Sequence, residues 1–219
     1  MRSYVSEFVG TALLLAIVTG SGMMGESLAS GNNAVALLGN SIATGAGLYV
    51  LITLLGPISG AHFNPVVSAM FWKLGHISKN KLFGYWLVQF CGAIAGIWLT
   101  HTMFGSPILQ ESVKVRTGTG IWVSELISTL VLLSVIHLGD KVAKDKVPML
   151  VALTVTAGYW FTSSTFFSNP AVAVARGFTN TFVGISPKDI GPFLIAEIAA
   201  VVIFMALFCR SAKKPNFGM

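Results

Sequence analysis

Charge is scarce in this sequence: Asp, Glu, Lys and Arg make up 10% of its 219 residues, against roughly a quarter in soluble domains. A chain this poor in charge cannot clothe a water-facing surface, which excludes an ordinary soluble globular domain. Cysteine is nearly absent. Cys91 and Cys209 both fall inside long apolar stretches, which excludes a disulfide framework or thiolate metal cluster and reads as buried packing. The four histidines, at 62, 76, 101 and 137, lie in different segments without ligand spacing. With no serine or cysteine in a nucleophile setting, enzymatic hydrolysis has no machinery, and no metal or cofactor is implied. The formal charge is +6, but the basic residues form no stripe or patch, so nucleic acid is not an expected partner.

Apolar length is plentiful instead. Hydrophobic residues make up 54% of the chain and the mean hydropathy is +0.76, so the solvent for most of its surface is a lipid bilayer. Six apolar stretches run near 5–24, 34–55, 82–104, 121–139, 147–166 and 190–209. The first has little basic flank beyond Arg2 and carries Glu7 early, which marks a mature span and not a secretory leader. Six spans put both termini on one side. With the N-terminus inside, ten basic residues (Arg2, Lys73, Lys79, Lys81, Lys141, Lys144, Lys146, Arg210, Lys213, Lys214) are inside, against Lys114, Arg116, Arg176 and Lys188 outside. That bias predicts cytoplasmic termini.

The chain also repeats itself. Val5-Ser6-Glu7 with Gly10-Thr11 matches Val123-Ser124-Glu125 with Ser128-Thr129 at a shift of 118, and His76-Ile77-Ser78 matches Gly184-Ile185-Ser186 at a shift of 108. One domain, 1–219, is thereby divided into repeats of about 1–115 and 116–219, each with three spans. An odd number of spans per repeat forces opposite orientations. Between the second and third spans, and again between the fifth and sixth, lies a segment too apolar for a solvated loop and too short to cross: 59–72 and 167–176. Backbone of this kind is tolerated in a membrane only where it is buried or lines a watery path.

Each short segment contains Asn-Pro: Asn64-Pro65-Val66 and Asn169-Pro170-Ala171. Asparagine caps a helix and proline suits its first turn, so each pair predicts the start of a half-helix of about ten residues. One such motif alone would be a cap. Two at equivalent points of an inverted repeat predict half-helices meeting at the bilayer centre, with amides facing a pore and positive dipole ends opposing cations and protons. The expected fold is all-α, with six transmembrane helices and two re-entrant half-helices.

At these residues the chain resembles the aquaporin, or major intrinsic protein, family, from Ser6-Glu7-Phe8-Val9-Gly10-Thr11 through Ser59-Gly60-Ala61-His62-Phe63-Asn64-Pro65 to Ser168-Asn169-Pro170-Ala171. The resemblance implies passive flow of small neutral solutes through a homotetramer. The first motif departs from it in having Val66 where alanine is usual. Carrying over the family's spacing puts a constriction at Thr44, Ala157, Phe166 and Val172, with valine and alanine where water-selective members have arginine and histidine. A wide, arginine-free filter is expected. This pattern is similar to a bacterial branch passing glycerol-sized solutes and neutral metalloid hydroxides such as arsenous acid, with methylated arsenicals a further candidate, in the inner membrane.

Arg176, one turn past Val172, has two readings: a displaced charge in the outer vestibule, or a side chain snorkelling or satisfying carbonyls at the half-helix end. By the same resemblance Glu7 and Glu125 are structural buried acids that accept from the re-entrant backbone, and His62 lines the pore. Gln89 and Glu197, related by the 108-residue shift, are assigned similar supporting work. Three other readings compete: a water-selective aquaporin, which a solute panel would separate, a secondary transporter with broken-helix repeats, which ion-gradient dependence would reveal, and an adhesive or purely structural membrane protein, which a permeability assay would separate.

Overall fold

The computed structural model describes residues 1–208. Eight α-helices are present among them: α1 (Arg2–Leu28), α2 (Asn33–Ser59), α3 (Pro65–Lys73), α4 (Lys79–Met103), α5 (Thr119–Val142), α6 (Val147–Phe161), α7 (Pro170–Ala175) and α8 (Pro187–Phe208). The starts follow local chemistry. Asn32 accepts from the Ala34 and Val35 amides to open α2, and Ser78 accepts from Lys81 to open α4, satisfying donors the helix itself leaves free. Gly60, at φ 94°, stops α2, because a left-handed residue cannot continue the helix.

Five of these helices are long and apolar enough to cross a membrane. The remaining span, α6, fifth in chain order, is shorter than the predicted 147–166. Its 15 residues make about 22 Å. It ends at Phe161 because a Thr-Ser-Ser-Thr run follows, in which Thr162 bonds the Gly158 carbonyl through its hydroxyl and Thr165 and Phe166 take φ of 62° and 57°. The second half-helix is also shorter than expected. α7 holds six residues before a 3-10 turn, Arg176–Phe178, whose carbonyls are drawn off by the Ile185 and Ser112 amides.

α1 packs on α2 and α4, α5 packs on α6 and α8, and α2 joins the two sets through α6. The closest approach is α1 to α4: a Cβ at Gly96 would lie 2.1 Å from the Ala12 carbonyl oxygen, and one at Gly92 2.5 Å from that of Phe8. Glycine is required there because the obstacle is backbone. Polarity is inverted relative to a soluble protein. Glu7, Gln89, Glu125 and Glu197 are fully buried, while Leu54, Leu87 and Ile195 are exposed. Cys91 corrects the expectation of a buried thiol: it is exposed, four residues from Leu87 on the outward stripe of α4. An apolar residue gains little by turning inward when the surroundings are lipid. Cys209, Arg210, Lys213 and Lys214 lie outside the described residues.

Candidate pore and constriction

The two Asn-Pro helices start back to back. Asn64 uses Oδ1 to accept the Val66 amide at the head of α3 (3.0 Å), and Asn169 does the same for Ala171 at the head of α7 (3.0 Å). Each amide nitrogen then crosses to the other loop: Asn64 Nδ2 donates to the Ser168 carbonyl (2.7 Å) and Asn169 Nδ2 to the Phe63 carbonyl (2.9 Å). A carboxamide nitrogen has two hydrogens, so each asparagine retains one donor. Pro65, Val66, Pro170 and Ala171 are buried behind them.

The loops are held in costly conformations. Ala61, Phe63, Phe166 and Ser168 have φ of 49°, 47°, 57° and 48°, three and one residues before each asparagine, at about 1–3 kcal/mol apiece. Buried acids offset this. Glu7 accepts from the His62 and Phe63 amides (2.9 and 2.7 Å), from Ser59 Oγ (2.7 Å) and from Gln89 Nε2 (2.8 Å). Glu125 accepts from the Ser168 amide and Glu197 from the Asn169 amide.

One cavity of about 690 Å³ passes these residues, from Asp140 and Asp145 at one end, past His62, Asn64 and Asn169, to Thr44, Val172 and Arg176 at the other. Its walls are spaced four apart on α1, α2, α5 and α6: Leu14 and Val18; Thr44, Leu48 and Ile52; Leu132 and Ile136; Val151, Val155 and Tyr159. His62 is fixed by Ser68 Oγ at its Nδ1 (3.0 Å) and stacks on Phe71.

Of the four residues expected at the constriction, Thr44, Phe166 and Val172 line the cavity and Ala157 does not. Ala157 is exposed on the far side of α6. Tyr159 occupies the wall instead, its hydroxyl 3.2 Å from Thr44 Oγ1. The four-residue stripe Val147, Val151, Val155, Tyr159 was the available signal, and counting back from Asn169 missed it because the chain between them is not helical. An arginine does stand at this end of the cavity, at the position expected to carry either a vestibule charge or a snorkelling or carbonyl-satisfying side chain. Arg176 is buried and borders the cavity, folded back so that its guanidinium stacks 3.5 Å above Phe167 and its Nε donates to the Val183 carbonyl. It neither snorkels nor projects freely, since the 3-10 turn rotates it off the α7 face.

Arg116, in the segment joining α4 to α5, lies over Phe167 as well, at 5.2 Å, and donates to the Gly184 carbonyl (2.8 Å). Burial lowers its guanidinium to about 10, so it stays cationic through neutral pH.

The profile of the family described as major intrinsic protein matches residues 1–208. The chain is 50% identical to the aquaglyceroporin AqpS of Rhizobium meliloti (strain 1021), over 94% of this chain and 88% of that one. It is 29% identical to aquaporin-1 of Homo sapiens, over 96% and 84%. Among solved structures, the aquaglyceroporin from Plasmodium falciparum superposes with a TM-score of 0.73 at 21% identity, covering 96% of each chain, which shows a shared fold.

Proposed function

The chain belongs to the major intrinsic protein family, and from that premise we propose that it is a passive pore for water, glycerol-sized polyols and neutral metalloid hydroxides such as arsenous acid, with methylated arsenicals a further class. The observation that carries this reading is the pair Asn64 and Asn169. Both sit midway along one cavity, each with its oxygen committed to a cap and one amide hydrogen left over. A hydroxyl oxygen arriving there meets two donors in succession, while its own hydrogens are turned outward along the path. A chain of like-oriented hydrogen bonds is broken at that point, which opposes proton relay, and the half-helix N-termini oppose cations.

Solute size is set at the outer end. Val172 offers an aliphatic wall where an arginine would offer a planar charged one, and Thr44 and Tyr159 form the polar side. Glycerol and arsenous acid both present three hydroxyls on a compact neutral body, so one half-apolar, half-polar constriction suits both. The aquaglyceroporin relative supports the polyol assignment. The protein is an integral membrane protein. We place its termini in the cytoplasm by the basic-residue bias, its membrane as a bacterial inner membrane, and its assembly as a homotetramer.

Reconstitution tests this. Proteoliposomes should swell or shrink faster than empty vesicles under gradients of water, glycerol and arsenous acid, without proton uptake by an internal pH dye. Solute flux that requires an ion gradient, or proton flux comparable to solute flux, would overturn it.

A further inference from the structure

Glu125 and Glu197 are both fully buried, on α5 and α8. Each spends one oxygen on the second re-entrant loop, Glu125 Oε1 on the Ser168 amide and Glu197 Oε1 on the Asn169 amide (2.7 Å). Those amides belong to consecutive residues, whose Cα atoms are about 3.8 Å apart, so the two carboxyls are neighbours. Their remaining oxygens, Glu125 Oε2 and Glu197 Oε2, are buried with no hydrogen-bond partner. Among the described residues no cation is ion-paired with either. Two adjacent ionised carboxylates in a lipid-enclosed core repel one another and have only acceptors to offer.

The first half of the molecule shows the donor that the second half lacks, although Gln89 Oε1 is itself buried without a partner. There the residue equivalent to Glu197 is Gln89, whose Nε2 donates to Glu7 Oε2 at 2.8 Å. A carboxyl group in that place can donate only as the acid. We propose that Glu197 is held as the neutral carboxylic acid and donates its proton to Glu125 Oε2, so that an acid–carboxylate pair with one negative charge does in the second half what Gln89 and Glu7 do in the first. The charge rests on Glu125, which also receives Ser128 Oγ (3.3 Å), whereas Glu197 receives the Asn169 amide alone. Arg116 and Arg176 are the cations whose charge reaches Glu125, and both are committed to carbonyls and to Phe167. Glu197 is thus a positioning residue. It sets the backbone of Asn169, and through it the solute-facing amide.

This inference rests on the pore reading for its consequence, but its first test does not. Infrared difference spectra of the reconstituted wild-type protein against Glu197→Gln at neutral pH should show a protonated-carboxyl carbonyl band that the variant lacks. Glu125→Gln should lose the same band, because Glu197, then receiving an amide donor, ionises. Glycerol flux should survive in Glu197→Gln, whose amide supplies the same donor and acceptor, and fall in Glu197→Leu, which supplies neither. Absence of the band from the wild type, or its persistence in both glutamine variants, overturns the shared proton. If the wild type shows the band but passes no solute, the pore reading fails and the proton assignment stands.

Discussion

Val172 and Tyr159 both border the outer end of the cavity, and substitutions test whether they divide the work of the proposed constriction. Val172→Arg introduces a planar cation into an aliphatic wall, and is expected to cut glycerol and arsenous acid flux in proteoliposomes far more than water flux. An unchanged solute-to-water ratio in a folded variant would remove Val172 from the constriction. Tyr159→Ala takes away the partner of Thr44 and opens the wall, so the same ratio should rise. Ala157→Val, on the exposed side of α6, should leave the ratio alone, which distinguishes the observed register from the one counted back from Asn169. At the midpoint, Asn169→Asp replaces the surplus donor with a negative charge beside the half-helix starts. Neutral-solute flux should fall and cation conductance appear in planar bilayers; a variant that stays cation-tight at normal flux would reduce Asn169 to a cap.

Helices and loops here are held by contacts with little tolerance. Gly96→Ala would set a methyl 2.1 Å from the Ala12 carbonyl oxygen, and neither backbone can yield without parting α1 from α4. The expected loss is of the size seen for overpacked cores, about 1–3 kcal/mol, read as a lower melting temperature in detergent with no change in the solute ratio of the surviving protein. The re-entrant loops depend on their acids in the same way. Glu7 accepts four hydrogen bonds, and Glu7→Gln would turn an amide donor toward groups that are themselves donors. Bonds to a charged acceptor are worth about 1.5–3 kcal/mol each, so this variant should lose monodisperse protein on gel filtration, where Glu197→Gln should not.

At the scale of the whole molecule, the inverted halves place one re-entrant loop at each face, and the cavity runs between them, bordered among the described residues by helices and re-entrant loops. Flux should therefore be indifferent to dissipating proton and sodium gradients. The orientation has its own measurement. A membrane-impermeant reagent should reach tags at both ends of the chain in inside-out vesicles and neither in right-side-out vesicles; the opposite pattern would reverse the basic-residue argument.

Much of this was legible without coordinates. The number of spans follows from apolar length against bilayer thickness, although α6 is shorter than that rule predicts, and the opposed halves follow from an odd number of spans per repeat. The asparagines follow because a cap followed by proline is a local signal that tertiary context seldom overrides. That Glu7 and Glu125 need donors follows from the cost of a buried acid, but their pairing with the loops was implied by the family resemblance. Position counted across irregular chain was not legible. Thr162 to Ser168 is irregular, with a turn closed by the Thr165 amide on the Thr162 carbonyl and positive φ at Thr165, Phe166 and Ser168, so nothing periodic links Asn169 to the face of α6, and Ala157 and Tyr159 exchange places. Lipid also hides which apolar side chains face outward, as Cys91 does, because both sides of a spanning helix are apolar. The path of Arg176 depends on a 3-10 turn set by hydrogen bonds from Ile185, shortly after it, and from Ser112, far before it in the chain. Local rules chose the elements; contacts between distant segments chose which side chains line the cavity.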